Sequence, residues 1–181
     1  MLVVLGLGSN LGDSRRIVLD AMTVLEQEVL TELRRASLYE TAPLHVTDQG
    51  RFINSAVAGF YPGTRRRHSS ESMFPSGKPR ELLARIHEIE ARFGRDRSRE
   101  RRWGERFLDI DILLFGDFKT ALPATEDDPW LEIPHPLLKE RRFALQPLLE
   151  LLPDAVEPGT GISYRSICDA LPDQGVKQIR N

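Results

Sequence analysis

Two carboxylates interrupt an otherwise apolar run, Phe107-Leu108-Asp109-Ile110-Asp111-Ile112-Leu113-Leu114-Phe115. On a strand, side chains alternate, so Asp109 and Asp111 point to one face and Leu108, Ile110 and Ile112 to the other. Residues two apart rise ~6.6–7 Å along a strand, a spacing from which two acids can converge on hard cations, here magnesium. Acids in an apolar strand cost stability unless positive charge meets them, and the competing expectation is that both pair with arginines. Arginine is abundant just upstream. Arg92, Arg95, Arg97, Arg99, Arg101, Arg102 and Arg106 lie within fifteen residues, with Trp103 among them. Guanidinium forks match phosphate oxygens in pairs, and an indole stacks on a flat ring. A solvated charged loop, or a patch for single-stranded nucleic acid, has a similar composition. The adjacent acids favour a metal–polyphosphate site, because bare carboxylates repel a nucleic-acid backbone and a bound cation reverses that repulsion.

Two further motifs stand out. Ile133-Pro134-His135-Pro136 fixes an imidazole between prolines, where neutral His135 can be structural, donate to a phosphate or deliver a proton to a leaving group. His45, His68 and His87 have no zinc-like spacing. Gly6-Leu7-Gly8-Ser9-Asn10-Leu11-Gly12 is one residue longer than a dinucleotide fingerprint and lacks the Lys-Ser/Thr of a P-loop, so alone it reads as a tight turn.

The elements that must hold these residues follow from pattern. Leu2–Leu7 reads as a strand, and Asp13 or Ser14 caps a helix running to about Glu28, with Ile17, Val18, Ala21, Val24 and Leu25 on one face. Strands are expected at Ala36–Tyr39, Phe52–Phe60 and Phe107–Phe115, and a helix at Arg80–Phe93 that Gly94 ends. Two further helices are expected, at Phe143–Leu152 and Ser163–Leu171, while 61–79 reads as a surface insertion without its own core. The order is β-α-β-β-α-β: an α+β chain with a ferredoxin-like antiparallel sheet, helices on one face, the other face free for ligands, and extra C-terminal helices.

Composition sets the bounds. The 181 residues fit one domain, 1–181, and 40% hydrophobic with 29% charged residues provide a core. A net charge of −2 argues against a duplex-DNA binder, and the single Cys168 excludes an internal disulfide. The N-terminal run lacks a basic segment, and no stretch approaches the ~18 apolar residues of a membrane span. The expectation is a cytoplasmic monomer acting on small molecules, with no nucleic acid and no membrane as partner.

Three blocks together resemble the 6-hydroxymethyl-7,8-dihydropterin pyrophosphokinase family of folate biosynthesis. They are Gly8-Ser9-Asn10-Leu11-Gly12, Arg102-Trp103-Gly104-Glu105-Arg106-Phe107-Leu108-Asp109-Ile110-Asp111-Ile112, and Ile133-Pro134-His135-Pro136 with Arg141-Arg142-Phe143. Tyr39-Glu40-Thr41-Ala42-Pro43-Leu44 and Phe52-Ile53-Asn54 extend the likeness. The resemblance implies a ferredoxin-like fold and transfer of pyrophosphate from ATP to the pterin hydroxymethyl group, with release of AMP. It implies that Asp109 and Asp111 hold two magnesium ions, and that Arg106, Arg95 and Arg97 join them as the catalytic set. Glu90, Arg95, Arg97, Arg106, Ile112, His135 and Arg141 would contact ATP, with Glu90 and Ile112 near its nucleoside. Gly8, Thr41, Leu44, Phe52, Asn54, Trp103 and Phe143 would form the pterin pocket. His87, Trp130 and Glu132 stand where some members have Gln, Arg and Thr. Other readings of the same residues are a small RNA-binding domain and a regulatory module that binds ATP without turnover. Relief of carboxylate repulsion implies that Asp109→Ala and Asp111→Ala each hold or raise the melting temperature.

Overall fold

The N-terminal apolar run is paired on both edges. Strand β1 (Leu2–Ser9) lies between β4 (Phe52–Phe60) and β5 (Asp109–Phe115), antiparallel to each. The computed structural model describes residues 1–43, 48–62, 77–97, 104–125 and 129–179. Beyond β4 the sheet continues to β3 (Tyr39–Thr41), and β2 (Thr31–Arg35) pairs with the far part of β4. A two-residue strand from the C-terminal segment, Lys177–Gln178, closes the β3 edge. Residues Thr120–Leu122 and Leu131–Ile133 form a separate antiparallel pair.

Alternation along the strands divides the core between two faces. Val3, Leu5, Leu7, Val57, Ile110 and Ile112 pack against helices α1 (Ser14–Glu28) and α2 (Gly77–Arg92). The other face, expected to be free, carries Val4, Ala56, Ala58 and Leu114 beneath α3 (Arg142–Leu151) and α4 (Tyr164–Ala170). The C-terminal helices therefore cover part of the ligand face and leave a cavity beside them. Leu149 and its neighbours supply the apolar side of α3 that makes this packing favourable.

Several boundaries differ from the pattern for identifiable reasons. Strand β2 escaped notice because it is almost wholly exposed, so Thr31-Glu32-Leu33-Arg34-Arg35 shows no buried alternation. The expected strand at Ala36–Tyr39 begins instead at Tyr39. Helix α2 starts at Gly77, since Pro79 sits in its first turn, where a missing N–H costs nothing. The segment read as an insertion from residue 61 opens with a core residue: Tyr61 is buried, its ring edge-on to Phe115 at 6.3 Å. Most of the remainder, 63–76, lies outside the described residues. In β5 the partners of Val4 and Leu5 are Leu114 and Ile112, so Leu113 is an extra residue in the ladder. That bulge puts both Leu113 and Leu114 in the core beneath α3.

Helix α3 is tied to the β3 edge by one carboxylate. Glu150 accepts from the Ser37 N–H (3.0 Å), the Ser37 hydroxyl (2.8 Å) and the Tyr39 hydroxyl (2.9 Å). Glu150→Ala strands these donors, and urea unfolding will show a loss of about 1–3 kcal/mol. An unchanged midpoint would show that the tie contributes nothing.

Candidate active site

The floor of the cavity is made of glycine. Gly6 and Gly8 of β1 face it, and the register sets Gly6 opposite Asp111 and Gly8 opposite Asp109. On the other edge of β1, Gly8 pairs with Asn54. A Cβ on Gly8 would stand 2.9 Å from Asn54 Oδ1, so the bare backbone is what lets the amide lie over the strand. Asn54 Nδ2 donates to Thr41 Oγ1 at 2.8 Å, which aligns both polar groups along one wall. Phe52, Phe143, Ala42 and Pro43 supply apolar surface around them. A slot with apolar walls and a buried amide and hydroxyl suits a flat ring with polar edges.

The two acids meet the same cavity in different electrical states. Asp109 accepts from Arg95 at 2.5 Å and from Arg106 at 2.8 Å. Burial pushes its carboxyl up, but Arg106 and Arg95 outweigh that and hold it below the usual carboxylate range. Among the described residues Asp111 has one cation within 4 Å, Arg141 at 3.9 Å, with the His135 ring at 3.8 Å. Withdrawal from water and then the Asp109 charge push Asp111 up to about 7. The pairing with arginines is thus close at Asp109 and loose at Asp111. A carboxyl pair with one weakly compensated member, opening on a cavity, has the chemistry of a donor set for a hard cation. Among the described residues no third acid, histidine or cysteine joins them, so the remaining ligands would come from a bound molecule or water.

His135 is held for donation. Its backbone N–H bonds to the Leu113 carbonyl at 3.3 Å, and its Nδ1 accepts from the Leu137 N–H at 3.1 Å. A ring that accepts at Nδ1 carries its proton at Nε2, the nitrogen that faces Asp111. Burial and then Arg141 lower its pKa to about 4, so it is neutral at physiological pH.

Of the residues singled out in sequence, Gly8, Thr41, Phe52, Asn54, Arg106, Asp109, Asp111, Arg141 and Phe143 line one cavity. Arg141 also stands over the Phe143 ring at 5.7 Å. Leu44 and Trp103, with Arg99, Arg101 and Arg102, lie outside the described residues. Glu90 and Ile112 do not line this cavity and lie on the other side of the sheet. Ile112 is in the core under α1 and α2, because it alternates with the acids. Glu90 is 1% exposed, accepts from Arg95, Arg97 and the Ile110 N–H, and so holds the arginine segment against β5. Arg97 reaches Glu90 rather than the acids.

Other residues of the site were not singled out. Gly6 lies under Asp111, and the signal was available: two glycines two apart on β1 mirror two acids two apart on β5. Asn10 is 7% exposed, accepts from the Arg106 N–H at 2.9 Å and donates to Gln49 at 3.1 Å. It joins three loops at the cavity mouth, which a turn reading of Gly8–Gly12 does not reveal.

Comparison with known proteins bears on this geometry. The sequence model of the family described as 7,8-dihydro-6-hydroxymethylpterin-pyrophosphokinase matches residues 4–153. The chain is 35% identical to the 2-amino-4-hydroxy-6-hydroxymethyldihydropteridine pyrophosphokinase of Aquifex aeolicus, with 86% of this chain and 83% of that protein covered. It is 38% identical to a mitochondrial folate synthesis bifunctional protein of Pisum sativum over 91% of this chain, but spans only 28% of that relative's length. A Plasmodium falciparum HPPK-DHPS structure superposes with a TM-score of 0.66 at 16% identity, over 93% of this chain and 43% of that one.

The unequal acids have a measurable consequence. Folded Asp111 keeps its proton to about pH 7, whereas its unfolded reference value is 3.8, so stability falls as pH rises between those values. His135 and His87 act oppositely. Their folded values of about 4 lie below 6.5, so their contributions grow as pH rises through that window. Asp111→Asn isolates the first effect. In urea unfolding it will be more stable than wild type near pH 8, and the advantage will vanish near pH 5, where wild-type Asp111 is protonated. Asp109→Ala will be less stable at both, because it strips a partner from Arg95, whose side chain is 5% exposed. This differs from the expectation that both alanine variants hold or gain stability. No advantage for Asp111→Asn near pH 8 would contradict the assignment.

Proposed function

Because this chain belongs to the 7,8-dihydro-6-hydroxymethylpterin-pyrophosphokinase family, we propose that it transfers pyrophosphate from ATP to 6-hydroxymethyl-7,8-dihydropterin in folate biosynthesis. The observation that carries this reading is the meeting, in one cavity, of a flat-ring slot and an anion-and-cation site. Asn54, Thr41 and Phe143 would read and stack the pterin, with Gly8 beneath and Phe52 at the rim; Leu44 and Trp103 belong to the same assignment. The ring's hydroxymethyl group would then point along the floor toward Asp109 and Asp111.

Asp109 and Asp111 would hold two magnesium ions, which fits a cation that prefers one or two carboxylates plus substrate phosphates. Bound there, magnesium would supply charge neutralisation for the triphosphate. Arg106, Arg95 and Arg97 would neutralise phosphate charge, Arg141 would clamp phosphate oxygens, and His135 would donate its Nε2 proton in a hydrogen bond to one of them. Glu90, which also holds Arg95 and Arg97, and Ile112 would lie near the nucleoside part of ATP. The hydroxymethyl oxygen would attack the β phosphorus and give up its proton to water, the bond from that phosphorus to the α-bridging oxygen would break, and AMP would leave. Positioning and charge neutralisation supply most of the catalysis in such a transfer. The rest of the reading follows from the same assignment. The chain is one pyrophosphokinase domain with a ferredoxin-like core, acting as a cytoplasmic monomer on ATP and the pterin. Neither nucleic acid nor membrane is its partner.

The test is to incubate the protein with magnesium, ATP and 6-hydroxymethyl-7,8-dihydropterin and to separate the nucleotides. AMP will form one-for-one with a pterin diphosphate, and Asp109→Ala or Asp111→Ala will lower the rate on the order of a hundredfold or more. ADP as product would make it an ordinary kinase, and pterin-independent ATP consumption would remove the reading.

A further inference from the structure

Helix α3 begins without a side-chain cap. Its N-cap residue is Arg141, which makes no capping hydrogen bond, so the first N–H groups need partners from elsewhere. One comes from the far end of the chain, beyond the residues matched by the family's sequence model. Gln174 Oε1 accepts from the Arg142 N–H at 2.9 Å, and Gln174 Nε2 donates to the Glu140 carbonyl at 2.8 Å. Both ends of one amide are used, and the two backbone groups flank Arg141. Arg141 has extended backbone, φ −116° and ψ 96°, so the amide brackets it much as a neighbouring strand would. Arg142 turns the other way and adds a second tie. Its Nη2 donates to the Cys168 carbonyl at 2.9 Å and the Leu171 carbonyl at 2.8 Å, at the end of α4.

The bracketed residue is the one that faces the cavity. Arg141 is 14% exposed in its side chain, reaches to 3.9 Å from Asp111 and lies over Phe143. A guanidinium on a long side chain is aimed by its backbone, and small displacements of a charge clamp are costly to a transfer reaction. We propose that Gln174 is a positioning residue: by bracketing Glu140 to Arg142 it fixes where the Arg141 guanidinium stands in the cavity. This inference rests on the pyrophosphoryl-transfer reading above, and the segment carrying Gln174 is thereby part of the working enzyme.

A double-mutant cycle tests it. Gln174→Ala will lower kcat/KM for ATP about tenfold, and in an Arg141→Ala background it will cause little further loss, because it acts through that side chain. Gln178→Ala is the control. It breaks another tie of the same segment, from Gln178 Nε2 to Ser37 Oγ at 2.7 Å, and will keep wild-type kcat/KM. Gln174→Glu keeps the acceptor for the Arg142 N–H but loses the donor, so it will show part of the loss and serves if the alanine variant does not fold. Hydrogen exchange at the Arg142 amide reads the bracket without turnover. It will speed up in Gln174→Ala and not in Gln178→Ala. Wild-type kcat/KM in Gln174→Ala, equal fractional losses with and without Arg141, equal loss in Gln178→Ala, or unchanged exchange would each overturn the proposal. An inactive wild-type chain would instead fail the pyrophosphoryl-transfer reading, while exchange still judged the bracket.

Discussion

Two carboxyl groups on one face of the edge strand β5 set the terms for everything around them. Asp109 and Asp111 stand two residues apart on β5, opposite two glycines, with the hydrophobic core directly behind at Ile110 and Ile112. A lone buried carboxylate would give up its charge or be driven toward solvent. Here the fold compensates one and leaves the other. Arg95 and Arg106 close on Asp109, whereas Asp111 is left with distant partners and a raised affinity for a proton. On the function proposed above, a divalent cation would supply the positive charge that Asp111 lacks.

That arrangement requires support behind it. Glu90 lies on α2, on the side of the sheet away from the cavity, yet it receives Arg95, Arg97 and the Ile110 N–H. One buried acid thereby fixes the position of the arginine segment and locks it to the strand bearing the cavity's own acids. Burial raises Glu90 against the pull of Arg95 and Arg97. On the cavity side, α3 brings Phe143, and Arg141 just before it, over the floor, and Glu150 ties the same helix to the strand edge that carries Thr41. Phe143, Arg141 and the wall that carries Thr41 are therefore held to each other by a single helix.

Much of this was legible in the chain because it rests on short-range periodicity. Alternation in Phe107–Phe115 assigned the acids to one face, and the arginine-rich run beside them announced anionic chemistry. The strand at Phe52–Phe60 and the helix at Ser14–Glu28, capped by Asp13, follow from the same local rules. What depends on contacts across the chain was not legible. The bulge at Leu113, the tie from Asn10 to Arg106 and the amide of Gln174 join residues distant in sequence, and no pattern announces them. Strand β2 was hidden because a solvent-facing strand has no apolar signature. The pairing of Glu90 with Arg95 and Arg97 was likewise not legible, because it depends on the packing of α2 against β5.

The account depends on one cavity serving the metal, the phosphates and the ring at once. The most direct measurement is a crystal structure with manganese in place of magnesium, a non-hydrolysable ATP analogue and 6-hydroxymethylpterin, with manganese located by its anomalous signal. The account predicts manganese ligated by both Asp109 and Asp111, the triphosphate on it beside Arg106 and Arg141, and the ring against Phe143 with its edge at Asn54. Manganese elsewhere, with Asp111 unligated, or a ring bound apart from the triphosphate, would contradict it.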